Sequence, residues 1–135
     1  MNLKKMILAT ISYVTLTMVV AYPWHIILFH DLYVSMGAVT RSEPIVPFGM
    51  LAMVIQGFII AYLYPFYYRD GNPIVQGIKF SLIMGTIVYS IMGFATVAKI
   101  DINPISTFLI YGFVFQVIQF VLTGVALGLI YGKNK

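Results

Sequence analysis

The sequence predicts an all-α integral membrane protein in which four helices form one bundle and the N and C termini lie in the cytoplasm. Hydrophobic residues make up 61% of the 135-residue chain, and charged residues make up only 9%. Soluble domains carry roughly a quarter charged residues, so this composition argues strongly against a soluble fold. The apolar residues also fall into four separate runs, and the cations around the runs are unevenly distributed. Together these observations predict a single transmembrane domain over residues 1–135.

Four apolar runs cover residues 6–28, 48–68, 74–98 and 105–131. The shortest run has 21 residues, and roughly 20 helical residues cross a hydrocarbon core. The segments between the runs read HDLYVSMGAVTRSEPIVP, RDGNP and AKIDINP, and they hold all four acidic residues together with Gly, Pro and Asn residues that end helices. Each run is therefore predicted to be a membrane-spanning helix, with a longer loop after the first.

The cations predict the orientation of the bundle. One side of the membrane would carry Lys4, Lys5, Arg69, Lys79, Lys133 and Lys135, and the other side would carry Arg41 and Lys99. Cytoplasmic loops hold the excess of Lys and Arg, so both termini are expected in the cytoplasm and the chain in the plasma (inner) membrane. The net charge of +4 is then mainly a topology signal. Scattered cations do not form the dense basic face of a nucleic-acid-binding protein.

The first run follows two lysines and allows a second interpretation. A basic start, an apolar run and the triplet Val19-Val20-Ala21 are typical of a cleaved signal peptide. The run, however, also contains several hydroxyl side chains between Thr10 and Thr17. These polar groups favour a retained membrane helix over a signal peptide.

The first run ends in AYPWHIILFHDLY, residues 21–33, where polar and aromatic side chains are concentrated. Pro23 lacks an amide hydrogen and crowds the preceding turn, so a kink is expected there. His25 lies roughly 28 Å along the helix from Met6, near the far edge of the hydrocarbon core. Trp24 at this depth is typical of an interfacial aromatic belt. Helical spacing continues beyond the proline and predicts an outer helix lying partly in the interface.

The outer face carries the candidate ligand-binding residues Trp24, His25, His30 and Asp31. The two histidines are five positions apart, about 140° around a helix, so they are poorly placed to hold one metal ion. A haem held by two histidines would need a matching His25 from a second copy, and no metal site or cofactor is predicted. One interpretation of this face is a solvated rim with local ion pairs. The other is a polar mouth, opened by the kink, that binds a small ligand or a lipid headgroup.

Two further candidate ligand-binding residues lie inside the predicted helices. Gln116 falls on the same helical line as Phe120 and Gly124, which places it toward the bundle, and Tyr89 lies near the middle of the third run. For both, a hydrogen bond between helices, worth on the order of 1 kcal/mol, is the favoured interpretation, and contact with a ligand is the alternative. Lys79 is a charge within a run, and its long stem allows the ammonium group to reach the interface.

Small residues are expected to pack the helices together. The candidate helix-packing residues are Gly77, Gly85 and Gly93 in the third run and Gly124, Gly128 and Gly132 in the fourth. Apolar side chains gain little from helix association in lipid, so small residues promote it by letting backbones approach. The favoured interpretation is packing within one chain. The alternative is that the stripe of the fourth run contacts a second copy or a partner subunit.

The sequence lacks the motifs of common catalytic sites. It has no cysteine, nucleotide-binding loop, zinc motif, serine triad or pair of buried carboxylates, so an enzyme is not expected. The small multidrug-resistance transporters also have four spans in a similar length, but they couple transport through a glutamate deep in the first span. No acid occurs in the first run of this chain. Proton-coupled antiport of that kind is therefore disfavoured.

Three stretches resemble a group of small four-span bacterial membrane proteins that form a family of unknown function. They are AYPWHIILFHDLYVSMG after the first span, GIKFSLIMGTIVYSIMGFATVAK through the third and YGFVFQ at the start of the fourth. The resemblance implies a four-helix membrane fold. Family members carry an acid just before the tryptophan and a Tyr-Asp pair in the third span, whereas here no acid precedes Trp24 and Ser90 follows Tyr89. The resemblance therefore assigns no site residue.

Two functions from different classes are consistent with these features. The favoured hypothesis is a non-catalytic structural or accessory component of a membrane assembly, held to its partner by the glycine stripes. The alternative is a small oligomeric transporter or ligand-binding membrane protein with a polar site near the outer face. The expected partners are the lipid bilayer and either a second copy of the chain or another membrane subunit.

Overall fold

The computed structural model describes residues 2–132 and is helical in most of that range, with no strand in the described part. The helices are α1 (Leu3–Tyr22), which continues as a first π-helical turn (Pro23–Leu28), α2 (His30–Ser35), α3 (Val46–Tyr67), α4 (Pro73–Tyr89), which continues as a second π-helical turn (Ser90–Ala95), and α5 (Ile105–Gly132). Lys133 and Lys135, which were used to predict the orientation, lie outside the described residues.

Four helical segments are long and apolar enough to cross a membrane: Leu3–Leu28, Val46–Tyr67, Pro73–Ala95 and Ile105–Gly132. The ends of the four predicted runs agree with these segments to within three residues. The all-α class and the four long apolar helices are therefore confirmed. The short α2 occupies the position of the outer helix expected beyond the proline.

The start of α4 follows from its local sequence. Pro73 is the first helical residue, where its missing amide hydrogen leaves no helical hydrogen bond unmade. The Asn72 side chain accepts hydrogen bonds from the amides of Ile74 at 3.0 Å and Val75 at 3.2 Å. Gly71, with φ of +83°, makes the turn between α3 and α4. This tight connection places α4 antiparallel to α3.

α4 and α5 form the most extensive helix pair, and glycines let their backbones touch. A Cβ atom on Gly77 would collide with the carbonyl oxygen of Gly124, and one on Gly128 would lie 2.6 Å from the carbonyl oxygen of Pro73. Gly132 lies against the Pro73 ring, where an added Cβ would be 2.5 Å from the proline Cβ. Distances this short leave no room for any side chain at these positions.

Aromatic rings cover the remaining glycines of the stripes. A Cβ on Gly85 would lie 2.7 Å from Cγ of Phe120, and one on Gly93 would lie 3.0 Å from Cε2 of Tyr89. Gly77, Gly85, Gly124, Gly128 and Gly132 therefore pack between α4 and α5 within one chain, whereas Gly93 is covered mainly by Tyr89, four residues before it. The alternative interpretation, in which the α5 stripe meets a second copy, does not match this arrangement because α4 already covers those glycines.

α1 is joined to α3 and α5 by a buried polar network. The Tyr13 hydroxyl donates to Oε1 of Gln56 at 2.7 Å, and the Tyr13 ring packs over Gly57. The amide nitrogen of Gln119 donates to the Thr17 hydroxyl at 2.8 Å and to the Tyr13 hydroxyl at 3.3 Å. Hydrogen bonds between helices stabilise a bundle in lipid, where apolar contacts alone give little preference for association.

The two ends of the bundle differ in structure. At the terminal end, where α1 begins and α5 finishes, the Lys5 ammonium group donates to the carbonyl oxygen of Tyr131 at 3.4 Å. The loop end consists of α2 and the loops that join α2 to α3 and the second π turn to α5. There Tyr33, Met36 and Ile102 form a separate buried cluster, and the amide of Asn103 donates to the carbonyl oxygen of Met36 at 3.0 Å. This contact ties the two loops together.

α3 packs against α1 only in its second half. The first buried residue of α3 is Gly57, and the helix is exposed from Val46 to Ala52. At the loop end the other helices are therefore not covered by α3. A cavity lies among them.

Candidate functional site

A cavity of about 560 Å³ opens at the loop end of the bundle. Its walls come from the first π turn, α2, the loop before α3, the end of α4 with the second π turn, and α5. The lining residues are His25, Ile26, His30, Tyr33, Ala38, Val39, Thr40, Arg41, Ser42, Pro44, Ile45, Tyr89, Met92, Gly93, Thr96, Phe108, Gly112, Phe115 and Gln116. Small-molecule sites have this size and combine apolar walls with a few polar groups.

One face of α5 forms the longest wall of the cavity. Phe108, Gly112, Phe115 and Gln116 follow the spacing i, i+4, i+7, i+8, which places their side chains on the same side of a helix. At 1.5 Å per residue the wall extends about 12 Å from Phe108 to Gln116. The cavity therefore runs from the loops toward the middle of the bundle, with Phe108 near its mouth and Gln116 at its inner end.

Both π-helical turns contribute to the cavity. In the first, the amide of Phe29 donates to the carbonyl oxygen of Trp24 at 3.1 Å, five residues back, and His25 lines the cavity. The α-helical part of this span ends at Tyr22, directly before Pro23, the residue at which a kink was expected. Gly93 in the second π turn lines the opposite wall. Single π turns within helices occur frequently at functional sites.

The His25 ring faces the cavity between two aromatic rings. Its centroid lies 4.7 Å from that of Phe115 and 5.0 Å from that of Tyr33. In the described part of the chain, neither ring nitrogen of His25 forms a hydrogen bond with a protein group. His25 can therefore offer a donor or an acceptor to a molecule in the cavity, depending on its tautomer.

Gln116 does not form the hydrogen bond between helices that the sequence predicted for it. Its side chain is 8% exposed, and its Oε1 atom is buried without any hydrogen-bond partner. Among the described residues the other atom in this state is Oγ of Ser81. The interhelical bonds predicted for Gln116 are made instead by Gln119, because Thr17 of α1 packs against that part of α5. Gln116 is left in the wall of the cavity with an unpaired amide.

Tyr89 forms a hydrogen bond between helices, as the favoured interpretation of the sequence predicted. It also lines the cavity. Its hydroxyl donates to the carbonyl oxygen of Leu109 on α5 at 2.9 Å. Tyr89 and Gln116 also line a second cavity of about 350 Å³ between α4 and α5, together with Leu82, Gly85, Thr86, Phe113, Val117 and Phe120. These two side chains therefore form part of the wall that separates the cavities.

A permanently charged side chain, that of Arg41, lies at the mouth of the main cavity. Arg41 lies in the loop before α3, beside Thr40 and Ser42, and forms no ion pair within the described residues. No carboxylate is among the lining residues. His30 lines the mouth, and its Nδ1 lies 3.4 Å from Oδ1 of Asp31 at the exposed surface. Asp31 itself does not line the cavity.

Trp24 does not line the cavity but supports its wall. Its ring packs against Phe29 at 4.7 Å and Phe115 at 6.1 Å between centroids, and its Nε1 donates to the Tyr33 hydroxyl at 3.2 Å. The side chain is thus half-buried by contacts within the chain. Burial raises the pKa of the Tyr33 phenol above its ordinary value, so Tyr33 stays neutral at physiological pH.

Sequence reasoning missed most of the cavity wall. Phe108, Gly112 and Phe115 were not singled out, although their spacing with Gln116 could have identified one face of α5. Arg41 was placed only on the side of the membrane opposite the termini, because the path of an irregular loop does not follow from a residue pattern.

The residues that the structure describes contain no group of three or more metal-ligating His, Cys, Asp or Glu side chains. No family model, curated protein or solved structure matches the chain.

Proposed function

We propose that this chain is a ligand-binding membrane protein whose site is the cavity at the loop end. The observation that carries the proposal is the amide of Gln116, which is buried and unpartnered in a largely apolar wall. A buried polar group without a partner destabilises a fold by about 1–3 kcal/mol. The oxygen is closed off from the cavity space, so the Gln116 amide must turn before a polar group of a bound molecule can provide the missing hydrogen bond. His25, which also faces the cavity with unpaired ring nitrogens, gives it a second polar contact.

The orientation that we propose places the cavity on the outer side of the plasma (inner) membrane and both termini in the cytoplasm. Lys4, Lys5 and Arg69 lie at the terminal end of the bundle, whereas Arg41 and Lys99 lie at the loop end. Cytoplasmic loops carry the excess of Lys and Arg. The ligand would therefore reach the cavity from outside the cell or from the outer part of the bilayer.

A transport role has one specific observation in its favour. Tyr89 and Gln116 line both cavities, and Tyr89 lies where α4 changes into the second π turn. Rotation of the Tyr89 ring would connect the outer cavity to the second cavity between α4 and α5. An accessory role in a membrane assembly has less support, because the glycines that would contact a partner are packed between α4 and α5.

A cavity-filling substitution tests the proposal. Gly112 lines the cavity, and an added Cβ would meet only Cε2 of Tyr89 at 3.7 Å, an ordinary contact. Gly112→Leu should therefore fold normally and fill part of the cavity. Gly49→Leu is the matched control, because a Cβ there meets nothing within 4 Å and Gly49 lies on the exposed half of α3.

Trp24 is the single tryptophan of the chain and reports on the cavity through its contact with Phe115. The protein is placed in nanodiscs and titrated with dibromostearate and, separately, with its neutral methyl ester, since bromine quenches nearby tryptophan fluorescence. We expect saturable quenching by at least one probe in the wild type and Gly49→Leu, and only a linear, non-saturable response in Gly112→Leu. Linear quenching in all three proteins, or saturable quenching that Gly112→Leu retains, would contradict the proposed function.

A further inference from the structure

We propose that the ligand of this cavity is an elongated apolar acid, with its acidic headgroup at Arg41 and a second hydrogen-bonding group at Gln116. The inference rests on the proposed function, because it names the class of molecule that the same cavity binds. It follows from the polar groups at the two ends of the cavity and from the apolar wall between them.

The mouth of the cavity favours an anion. Arg41 is the permanently charged residue in the lining, no carboxylate accompanies it there, and it has no ion pair within the described residues. A guanidinium group donates paired hydrogen bonds that match the geometry of a carboxylate or a phosphate. A cationic headgroup would meet a like charge and no compensating acid.

The middle of the cavity favours an apolar body. The side chains of Phe108, Phe115, Ile26 and Met92 line it, and hydrocarbon or an aromatic ring packs against such a surface better than a polar chain does. The wall of α5 extends about 12 Å from Phe108 to Gln116, which sets the length of the body. A compact ion such as acetate would reach only one end.

The inner end of the cavity favours a second polar group on the ligand. Gln116 carries both an amide donor and a carbonyl acceptor, and Oε1 has no partner in the protein. A hydroxyl, carbonyl or amide on the far end of the ligand would bond to the Gln116 amide once that amide turns into the cavity. A ligand without such a group would leave the buried oxygen unpaired, so it should bind more weakly.

Four small competitors separate these contributions. Displacement of the bound brominated probe by a competitor is measured as recovery of Trp24 fluorescence. The first competitor, ω-hydroxydecanoate, carries both polar ends, and decanoate lacks the far hydroxyl. Decanol lacks the acid, and decylamine reverses the charge of the headgroup. We expect ω-hydroxydecanoate to compete best, decanoate next, and decanol and decylamine at least about tenfold more weakly, as the loss of a charge-assisted hydrogen bond predicts.

Four variants assign the ends of the ligand. Arg41→Gln should weaken both acids about tenfold and leave decanol unchanged, whereas Lys99→Gln removes an exposed cation outside the cavity lining and should change nothing. Gln116→Leu should remove the advantage of ω-hydroxydecanoate over decanoate. Arg41→Lys keeps the charge but loses the planar fork, and it should restore part of the affinity.

The source of the acid is tested separately. The shared chemistry, an acidic headgroup on an apolar chain, occurs in free acids and in anionic phospholipids. Nanodiscs of phosphatidylcholine alone are compared with nanodiscs containing phosphatidylglycerol. A loss of ω-hydroxydecanoate binding in the second set larger than the loss of its partitioning into protein-free nanodiscs of the same composition would indicate that the anionic lipid competes for the site. No loss beyond that of partitioning would indicate a free acid.

The failures of the two proposals can be distinguished. If all four competitors displace the probe equally, or if Arg41→Gln has no effect on the acids, the cavity binds ligands but not by acid recognition, and this inference is wrong. If decylamine competes best, the sign of the headgroup is wrong. If no probe binds saturably to the wild-type protein, the proposed function itself fails.

Discussion

Gln116 and Gln119 lie three residues apart on α5, yet they have different surroundings. Gln119 donates to Thr17 and Tyr13 of α1, whereas Gln116 lies in the cavity wall with an unpaired oxygen. Side chains three positions apart differ by about 60° in direction and about 4.5 Å along the helix axis, so the two amides lie on the same side of α5 but reach different neighbours. The same residue type therefore joins helices at one position and faces a binding cavity at the other.

Replacing the two amides by leucine should have different effects on stability. Gln119→Leu removes two hydrogen bonds between helices and leaves the buried Thr17 hydroxyl without its donor, so the free energy of unfolding should fall by about 1 kcal/mol or more. Gln116→Leu removes a polar group that has no partner, and it should leave that free energy unchanged or raise it. Each variant serves as the control for the other, in unfolding by denaturing detergent followed by circular dichroism. Equal destabilisation by both would show that Gln116 has a partner in the folded protein.

Residue patterns could not predict which neighbouring helix covers each part of the buried face of α5. The line from Gln116 through Phe120 to Gly124 correctly identified a buried face of α5, since all three residues are buried. It did not identify which neighbour covers each part of that face. That depends on where α1 crosses α5, and the crossing is set by packing between distant parts of the chain.

At the scale of whole elements, α4 and α5 form the most closely packed pair of the bundle. Their backbones touch at Gly77, Gly124 and Gly128, and such close approach maximises packing between helices in lipid. α1 joins α5 by hydrogen bonds from side chains, and α3 joins α1 only in its second half. The cavity lies where the second π turn and the first π turn face each other beyond this packed region.

A side chain at the α4–α5 contact should separate the pair. In Gly124→Leu the new Cβ would lie 2.7 Å from the amide nitrogen of Ile78 and 2.7 Å from the carbonyl oxygen of Gly77. Both are backbone atoms that cannot turn aside, so we expect a loss of about 3 kcal/mol in the free energy of unfolding. Gly49→Leu makes the same chemical change at an open position and should be neutral, in the same detergent-unfolding measurement. Unchanged stability of Gly124→Leu would contradict the close backbone contact.

The sequence predicted the four long helices well because length and hydropathy are local properties. The longest apolar runs end at Gly, Pro, Asn and charged residues, and the helix ends fall within three positions of them. The cavity could not be predicted in the same way, because its lining comes from five separate parts of the chain. Pro23 marked the place where the first span changes its hydrogen bonding, but not the π turn that directs His25 inward.

The orientation of the whole molecule can be tested because the chain contains no cysteine. Glu43 and Asp70 are both exposed acids, one in the loop before α3 at the loop end and the other in the α3–α4 turn at the terminal end. We expect a membrane-impermeant maleimide to label Glu43→Cys in intact cells and to label Asp70→Cys only after the membrane is broken, because the terminal end carries the excess of Lys and Arg. Each variant removes one acidic residue and no Lys or Arg. The distribution of cations that predicts the orientation is therefore the same in both variants. Labelling of Asp70→Cys in intact cells, with protection of Glu43→Cys, would reverse the orientation, and the cavity would then open to the cytoplasm.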